Sequence, residues 1–433
     1  MDISSQAIQH AQDLLNFIDA SPSPWHVVNN VAARLKAQGF KPLIENQAWQ
    51  FKKNGKYYVV RDGASIIAFI MGNQPIVDSG FKMVGAHTDS PGLRLKPKAA
   101  FASQGIAQMG VEVYGGPILA TFTDRDLSLA GRVMVRNGEA IQARFVHIQE
   151  SIVRLPNLAI HMNREVNDKG LLLNKQTGLP LIFGLAADHA EAHSQLMQYL
   201  ANTLEVAPTD ILTWDLNVVD TQKGMLWGMN QAFMANSQLD NLASCHAALS
   251  ALLATHKPDA TCICALFDHE EVGSESATGA GGSFMVDVIA RICHATKTSE
   301  ENRLRALANS FFISADMAHA FHPNHAGSYE PCHHVLVNKG IVIKTNVNQR
   351  YSTNADTAAR FMALCELANV PYQQYAHRTD LGCGSTIGPM IAASLGVPTV
   401  DVGAPMWAMH SLRESAGVLD HSDMTEVLKQ HFK

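Results

Sequence analysis

Five short apolar runs set the strongest constraint on what this chain can fold into. They are FKMVGA (81–86), TWDLNVVD (213–220), TCICALFD (261–268), SFFISADM (310–317) and VPTVDVGAP (397–405). Runs of this length, closed by polar turns, fit strands buried on both faces. Between them lie segments with helical periodicity, including NLASCHAALSALLATH (241–256), ADTAARFMALCELANV (355–370) and GSTIGPMIAASLG (384–396). Strands alternating with helices predict an α/β sheet covered on both sides. Residues 6–19 carry an amphipathic helical pattern, which WHVVNNVAARLKAQGF resumes after the break at Pro22–Pro24. Cys262 and Cys264 alternate along one run and so face the same side.

Residues 97–230 read differently. Short alternating runs are separated by Gly-rich turns, and Asn137-Gly138 is a hairpin signal. A mostly β insertion is predicted here, with one helix at about 188–204, dividing the α/β domain into 1–96 and 231–433. Two domains also suit 433 residues, because single cores rarely grow beyond ~250–300.

Composition narrows the function classes. A formal net charge of −6 gives no basic footprint for nucleic acid. The seven cysteines are scattered and form no CxxC pair, which fits free thiols in a reducing compartment. The first residues lack the basic and apolar regions of a signal peptide, and no apolar run is long enough to span a bilayer. A cytoplasmic protein without membrane or nucleic-acid partners is expected.

The chemistry concentrates where apolar runs end. FDHEEVGSESATGAGG sets Asp268, His269, Glu270 and Glu271 side by side after a buried run. His87 and Asp89 follow FKMVGA, Asp316 follows FFISA, Asp240 stands in SQLDNL and His410 in APMWAMHSLRE. Crowded carboxylates cost free energy unless something positive faces them. Each signal alone has a plainer reading, since acidic pairs are usually solvated and Asp240 or Asp316 could cap a helix. Their shared position after apolar runs shifts the balance, because ligands of open α/β sheets collect at the carboxyl ends of strands.

Two histidines with three or four carboxylates suit zinc, manganese or cobalt. Five donors exceed one tetrahedral zinc and suit two metals sharing a bridging carboxylate, which can hold a hydroxide and polarise a carbonyl. Asp89 is placed to orient the His87 ring. Neighbours in an extended strand point apart, so one of Glu270 and Glu271 is expected to ligate metal and the other to act as base.

The chain resembles the aspartyl aminopeptidases, cytosolic di-zinc peptidases, over nearly its full length. The matching stretches include GAHTDSPGLRLKP, DRDLSLAGRV, NLAIHMNR, LDNLASC, FDHEEVGS, SADMAHAFHPN, KGIVIKTNVNQRYSTN, CGSTIGP and MHSLRE. The resemblance implies two zinc ions per subunit, one held by His87, Asp240 and Asp316, the other by Asp240, Glu271 and His410. Glu270 would be the general base and Asp89 would orient His87. His161 would reach a neighbouring subunit's site, and Lys344 would meet an acidic substrate side chain. His319, Arg378 and Asp380 would also line the pocket. The implied fold is a zinc-peptidase α/β domain interrupted by a β-rich dimerisation domain, with dimers assembling into a tetrahedral dodecamer.

The expected activity is release of N-terminal residues, preferably Asp or Glu, from peptides. The chain departs from the family pattern at Gln238, Phe122 and His325, where arginine, tryptophan and tyrosine are commoner. Two competing readings are a di-metal deacylase or carboxypeptidase and a non-catalytic, metal-stabilised shell. The insertion motifs and FDHEEVGS disfavour the first, and a base beside a full ligand set disfavours the second.

Overall fold

The computed structural model describes residues 3–433 and sorts their strands into three sheets. At the centre of a nine-stranded sheet, Thr261–Phe267, Phe81–His87, Phe311–Ala315 and Thr399–Gly403 run side by side and parallel. Four of the five apolar runs therefore form one buried block. Alternate residues feed two separate cores. Cys262, Cys264, Leu266, Val84, Ala86 and Ile313 face helices Ser5–Asp19, Leu239–Leu253 and Val418–Phe432. Ile263, Phe267, Met83 and Phe312 face Phe284–Ala295 and Ile387–Leu395. Gly85 is required within this block, since a Cβ there would stand 2.4 Å from the Phe312 ring.

The fifth run goes elsewhere. Ile211–Asp220 pairs antiparallel with Leu127–Asn137 in a six-stranded sheet whose strands come from residues 92–220. Leu216 and Val218 enter the core of that sheet while their neighbours are half-buried. TWDLNVVD has the length of the central runs, but it lies within 97–230, and its one-sided alternation marks an antiparallel sheet. The predicted hairpin forms, with Asn137 paired to Ala140 and Gly138 at φ 63°. Helix His189–Leu204 begins at Asp188, whose carboxylate accepts the Glu191 N–H at 2.9 Å, and it packs Leu196 and Leu200 into the same core.

A third sheet was not anticipated. Met225–Trp227, Phe233–Asn236, Glu414–Gly417, Pro405–Trp407 and Ala318–His319 form five short strands beside the carboxyl ends of the parallel block. Its loops deliver the second half of the site described below.

The helix at 5–19 is fastened by buried histidines. The His246 Nε2–H donates to Asp13 at 2.7 Å, which leaves Nδ1 to accept from the His421 Nε2–H at 3.0 Å. His10 donates to the Thr425 hydroxyl at 2.8 Å and stacks on His421 at 14° between ring planes. Nitrogens of these three rings come within 4.8 Å of one another. Stacked rings hold their lone pairs parallel, however, and the bonds above already use the facing nitrogens, so the cluster is a hydrogen-bonded chain.

Burial pulls His421 well below its ordinary pKa and His10 down to about 4. The unfolded chain takes up these protons as pH drops below ~6.5, before the folded chain does, so stability falls with pH from there toward 4. The melting temperature is expected to drop over that window. His421→Gln should flatten the drop, read by thermal unfolding at stepped pH.

Candidate metal centre

His87 is the last residue of its strand, Asp316 directly follows Phe311–Ala315, and Glu270 and Glu271 follow Thr261–Phe267. Asp240 opens helix Leu239–Leu253 just beyond strand Phe233–Asn236, and His410 lies past Pro405–Trp407. The parallel block thus supplies one histidine and three carboxylates, and the small third sheet supplies the rest.

These residues meet. The Nε2 of His87 is 3.4 Å from Asp240 Oδ1 and 3.6 Å from Asp316 Oδ1. The Nε2 of His410 is 3.4 Å from Asp240 Oδ2 and 3.4 Å from Glu271 Oε1. The two oxygens of Asp240 therefore face two different histidines. Each ring is fixed from behind. The His87 Nδ1–H donates to the Asp89 carbonyl at 3.0 Å, and the His410 Nδ1–H donates to the Gly116 carbonyl at 3.0 Å. That tautomer leaves both Nε2 atoms free as acceptors.

The donor set fits metal. Within each of the groups His87–Asp240–Asp316 and Asp240–Glu271–His410, ligand atoms lie within 4.8 Å of one another. Two donors on one tetrahedral zinc, at ~2.0–2.1 Å each, stand about 3.4 Å apart. Asp240 Oδ1 is buried without a hydrogen-bond partner, an orphan that a cation would satisfy.

Burial, then the Asp240 charge, drives the Glu271 carboxyl well above its ordinary range. Burial, then the neighbouring Asp316, Asp89 and Asp240 charges, pushes Glu270 to about 8. Burial pulls the His410 ring down, but the Asp240 and Glu271 carboxylates outweigh it and raise the pKa to about 10. A site that must hold protons to offset crowded acids is one that divalent cations would stabilise.

Glu270 and Glu271 point apart, but not because they lie in an extended strand. They lie in a short 3₁₀ turn at Glu270–Val272, entered through His269 at φ 63°. Successive side chains of such a turn diverge by about 120°. Glu271 turns toward His410, while Glu270 stands 3.9 Å from His87 Nε2, further off than Asp240 or Asp316.

Asp89 also acts differently from expectation. Its carboxylate is 3.4 Å from His87 Nδ1, but its own carbonyl takes the ring proton. The carboxylate accepts the Glu270 and Glu271 N–H groups, both at 3.1 Å, and the Tyr114 hydroxyl at 2.7 Å. It fixes the acidic turn.

A cavity of about 400 Å³ opens over this cluster and is also lined by His319, Lys344, Tyr351 and Thr386. Lys344 is only 2 % exposed. It donates to the Met317 carbonyl at 3.1 Å and lies 3.6 Å from Asp316 Oδ2. Arg378 borders an adjoining cavity and is paired in two-pronged fashion with exposed Asp380, at 2.7 and 2.9 Å. His161 sits on an exposed loop and does not line the cavity of its own chain.

Sequence reasoning missed Tyr114 and Glu414. Glu414 closes the MHSLRE stretch four residues after His410. Its carboxylate accepts the His410 N–H at 2.7 Å and the Asp240 N–H at 3.1 Å.

Comparison with known proteins adds an independent line. Residues 17–432 match the model of the family described as aminopeptidase I zinc metalloprotease (M18). The chain is 45% identical to a probable M18 family aminopeptidase 2 of Ectopseudomonas mendocina over 419 residues, 96% of each chain. A protein of the same description in Pseudomonas aeruginosa is 44% identical over the same span.

Among solved structures, the chain in the complex of Ape4 and Nbr1 superposes with a TM-score of 0.96 at 38% identity, covering 100% of this chain and 87% of that one. Yeast aminopeptidase 1 superposes at 0.87 with 26% identity, covering 98% and 97%. The mApe1 dodecamer of S. cerevesiae superposes at 0.84 with 26% identity, covering 98% and 96%. With nearly its whole length matched, this chain belongs to the M18 aminopeptidase family of zinc metalloproteases, hydrolases that act on peptide bonds.

Proposed function

We propose that this M18 aminopeptidase holds two zinc ions per chain and removes N-terminal Asp or Glu from peptides. One ion would be held by His87, Asp240 and Asp316, the other by Asp240, Glu271 and His410. The observation that carries the reading is Asp240, whose Oδ1 and Oδ2 each stand 3.4 Å from a different histidine Nε2. The same donors also suit manganese or cobalt.

When bound, the pair supplies a water of lowered pKa and a Lewis acid for the scissile carbonyl. The residues do the rest. Glu270, beside His87 but outside both proposed ligand sets, is placed to take a proton from the water once cations offset the crowded acids, and to return it to the leaving amine. Asp89 holds its backbone still through the Glu270 N–H. Lys344, on the cavity wall, offers a cation to an acidic first side chain, with His319 beside it. Arg378, oriented by Asp380, is assigned to the outer peptide path.

Residues 97–230 are assigned as a dimerisation module. The outer strand Ala140–His147 of its sheet leaves Ile141 62 % and Phe145 43 % exposed, surface that a second copy would cover. His161, on a loop where Leu158 is 68 % and Met162 77 % exposed, is assigned to the site of a neighbouring copy. Both assignments call for an assembly of several copies, of the kind described for mApe1 as a dodecamer. Among the described residues no helix is long and apolar enough to cross a membrane.

A panel of aminoacyl-coumarin substrates on the zinc-reconstituted protein tests the reading. Asp and Glu substrates should turn over fastest, N-acetylated ones not at all, and a chelator should abolish the activity. Lys344→Met should lower kcat/KM for acidic substrates about 10–100-fold while changing neutral ones little, the range for loss of a charge-assisted pair. An equal loss for all substrates would mean that Lys344 serves only to balance Asp316.

A further inference from the structure

The third sheet carries one charged group whose position has no role in the chemistry above. Glu414 begins the strand Glu414–Gly417 and is only 1 % exposed. Its strand lies between Phe233–Asn236 on one side and Pro405–Trp407 on the other, with Asn236 paired to Glu414 and Trp407 paired to Ser415. The first flanking strand runs on into Asp240 and the second into His410. A side chain at the head of the middle strand can therefore reach both ligand-bearing segments at once, and Glu414 does. Oε1 accepts the His410 N–H at 2.7 Å, and Oε2 accepts the Asp240 N–H at 3.1 Å.

Both segments have backbone that needs holding. His410 is at φ 67°, and Gln238, two residues before Asp240, is at φ 58°. Left-handed backbone at non-glycine residues persists only where surroundings over-determine it. At His410 the surroundings are explicit. Glu414 takes its N–H, the Ile118 N–H donates to its carbonyl at 2.9 Å, and Gly116 takes its Nδ1–H. Asp89 makes a parallel arrangement across the site, where one buried carboxylate takes the N–H groups of Glu270 and Glu271. Each half of the acidic cluster is thus hung from a buried carboxylate that touches none of the proposed metal-facing atoms.

We infer that Glu414 is a positioning residue that sets the metal site of Asp240, Glu271 and His410 by clamping the backbone N–H groups of Asp240 and His410 with its two oxygens. The inference rests on the two-metal reading. It explains why a carboxylate stands there. Two N–H donors converge on the side chain, so both of its terminal atoms must accept. Glutamine has nearly the same shape but only one acceptor, and its NH₂ would face an N–H. Aspartate keeps both acceptors but is one methylene shorter and cannot span both donors.

The test is metal binding by the full chain, with zinc affinities from competition against a chromophoric chelator and site occupancy from the visible absorption of the cobalt-loaded protein. Wild type should bind two ions. Glu414→Gln and Glu414→Asp should each weaken the ion held with His410 and Glu271 by about 10–100-fold, the usual cost of removing an outer partner of a ligand, and the other ion, which shares only Asp240 with the clamp, by clearly less. The cobalt spectrum should lose one component, and excess zinc should restore kcat.

Two ions bound as tightly in both variants as in wild type would overturn the role of Glu414 and leave the two-metal reading standing. Equal weakening of both ions, with a matching fall in melting temperature, would mark a general structural part and overturn it too. Fewer than two ions on wild type would overturn the two-metal reading, and the inference with it.

Discussion

Glu270→Gln should retain two zinc ions and lose most turnover, with kcat down by about 10²–10⁴-fold, the usual contribution of a positioned general base. The substitution preserves side-chain volume. It also keeps the backbone N–H that Asp89 anchors at 3.1 Å, so the acidic turn keeps its shape. Metal retention follows from distance. Glu270 is 3.9 Å from His87 Nε2, against 3.4 and 3.6 Å for Asp240 and Asp316, so although it also groups with His87 and Glu271 it is the more distant carboxylate and is in neither proposed ligand set. What the amide cannot do is accept a proton near neutral pH. Parallel assays of kcat and of zinc per chain decide the point, and near-normal turnover with zinc in place would refute the role.

The parallel block was legible because its runs are apolar on both faces, and chemistry at their ends was legible because charge seldom follows such runs. His87, Asp316 and the Glu270–Glu271 pair were found this way, and each stands at or just beyond a strand end. Asp240 and His410 were read from motif and resemblance. The strands that lead to them are three or four residues long, too short for periodicity to register.

The third sheet escaped detection for the same reason, and Glu414 with it. A buried glutamate that pairs only with backbone N–H groups has no partner residue type to signal it. Asp89 shows the limit from the other side. Its spacing from His87 pointed correctly to a contact, but sequence spacing cannot tell a carbonyl from a carboxylate. TWDLNVVD was listed with the central runs for its length, although it lies within 97–230 and its alternation, with Leu216 and Val218 buried, sets it with the β insertion.

Asp240→Asn should remove more than any other single change, because each of its oxygens serves a different half of the site. Of the two proposed ligand sets only Asp240 belongs to both, although His87 and Glu271 also come together with Glu270 in a third close group. Asparagine keeps the shape but replaces one oxygen with an NH₂ that cannot ligate and would point at a histidine Nε2 3.4 Å away. Both zinc affinities should therefore fall, and turnover should drop by about 10⁴-fold or more, beyond the general-base loss because the acidified water and the Lewis acid go together.

Stability gives a readout independent of activity. A ligand at 100 times its Kd stabilises the folded state by about 2.7 kcal/mol per site, so zinc should raise the melting temperature of wild type in a saturable way. Asp240→Asn should lose nearly all of that rise at the same zinc concentration. Glu271→Gln, which touches one group only, should keep about half of it. Equal zinc-induced stabilisation in Asp240→Asn and Glu271→Gln would remove Asp240 from the bridging position, and the two-ion arrangement would have to be rebuilt around another carboxylate.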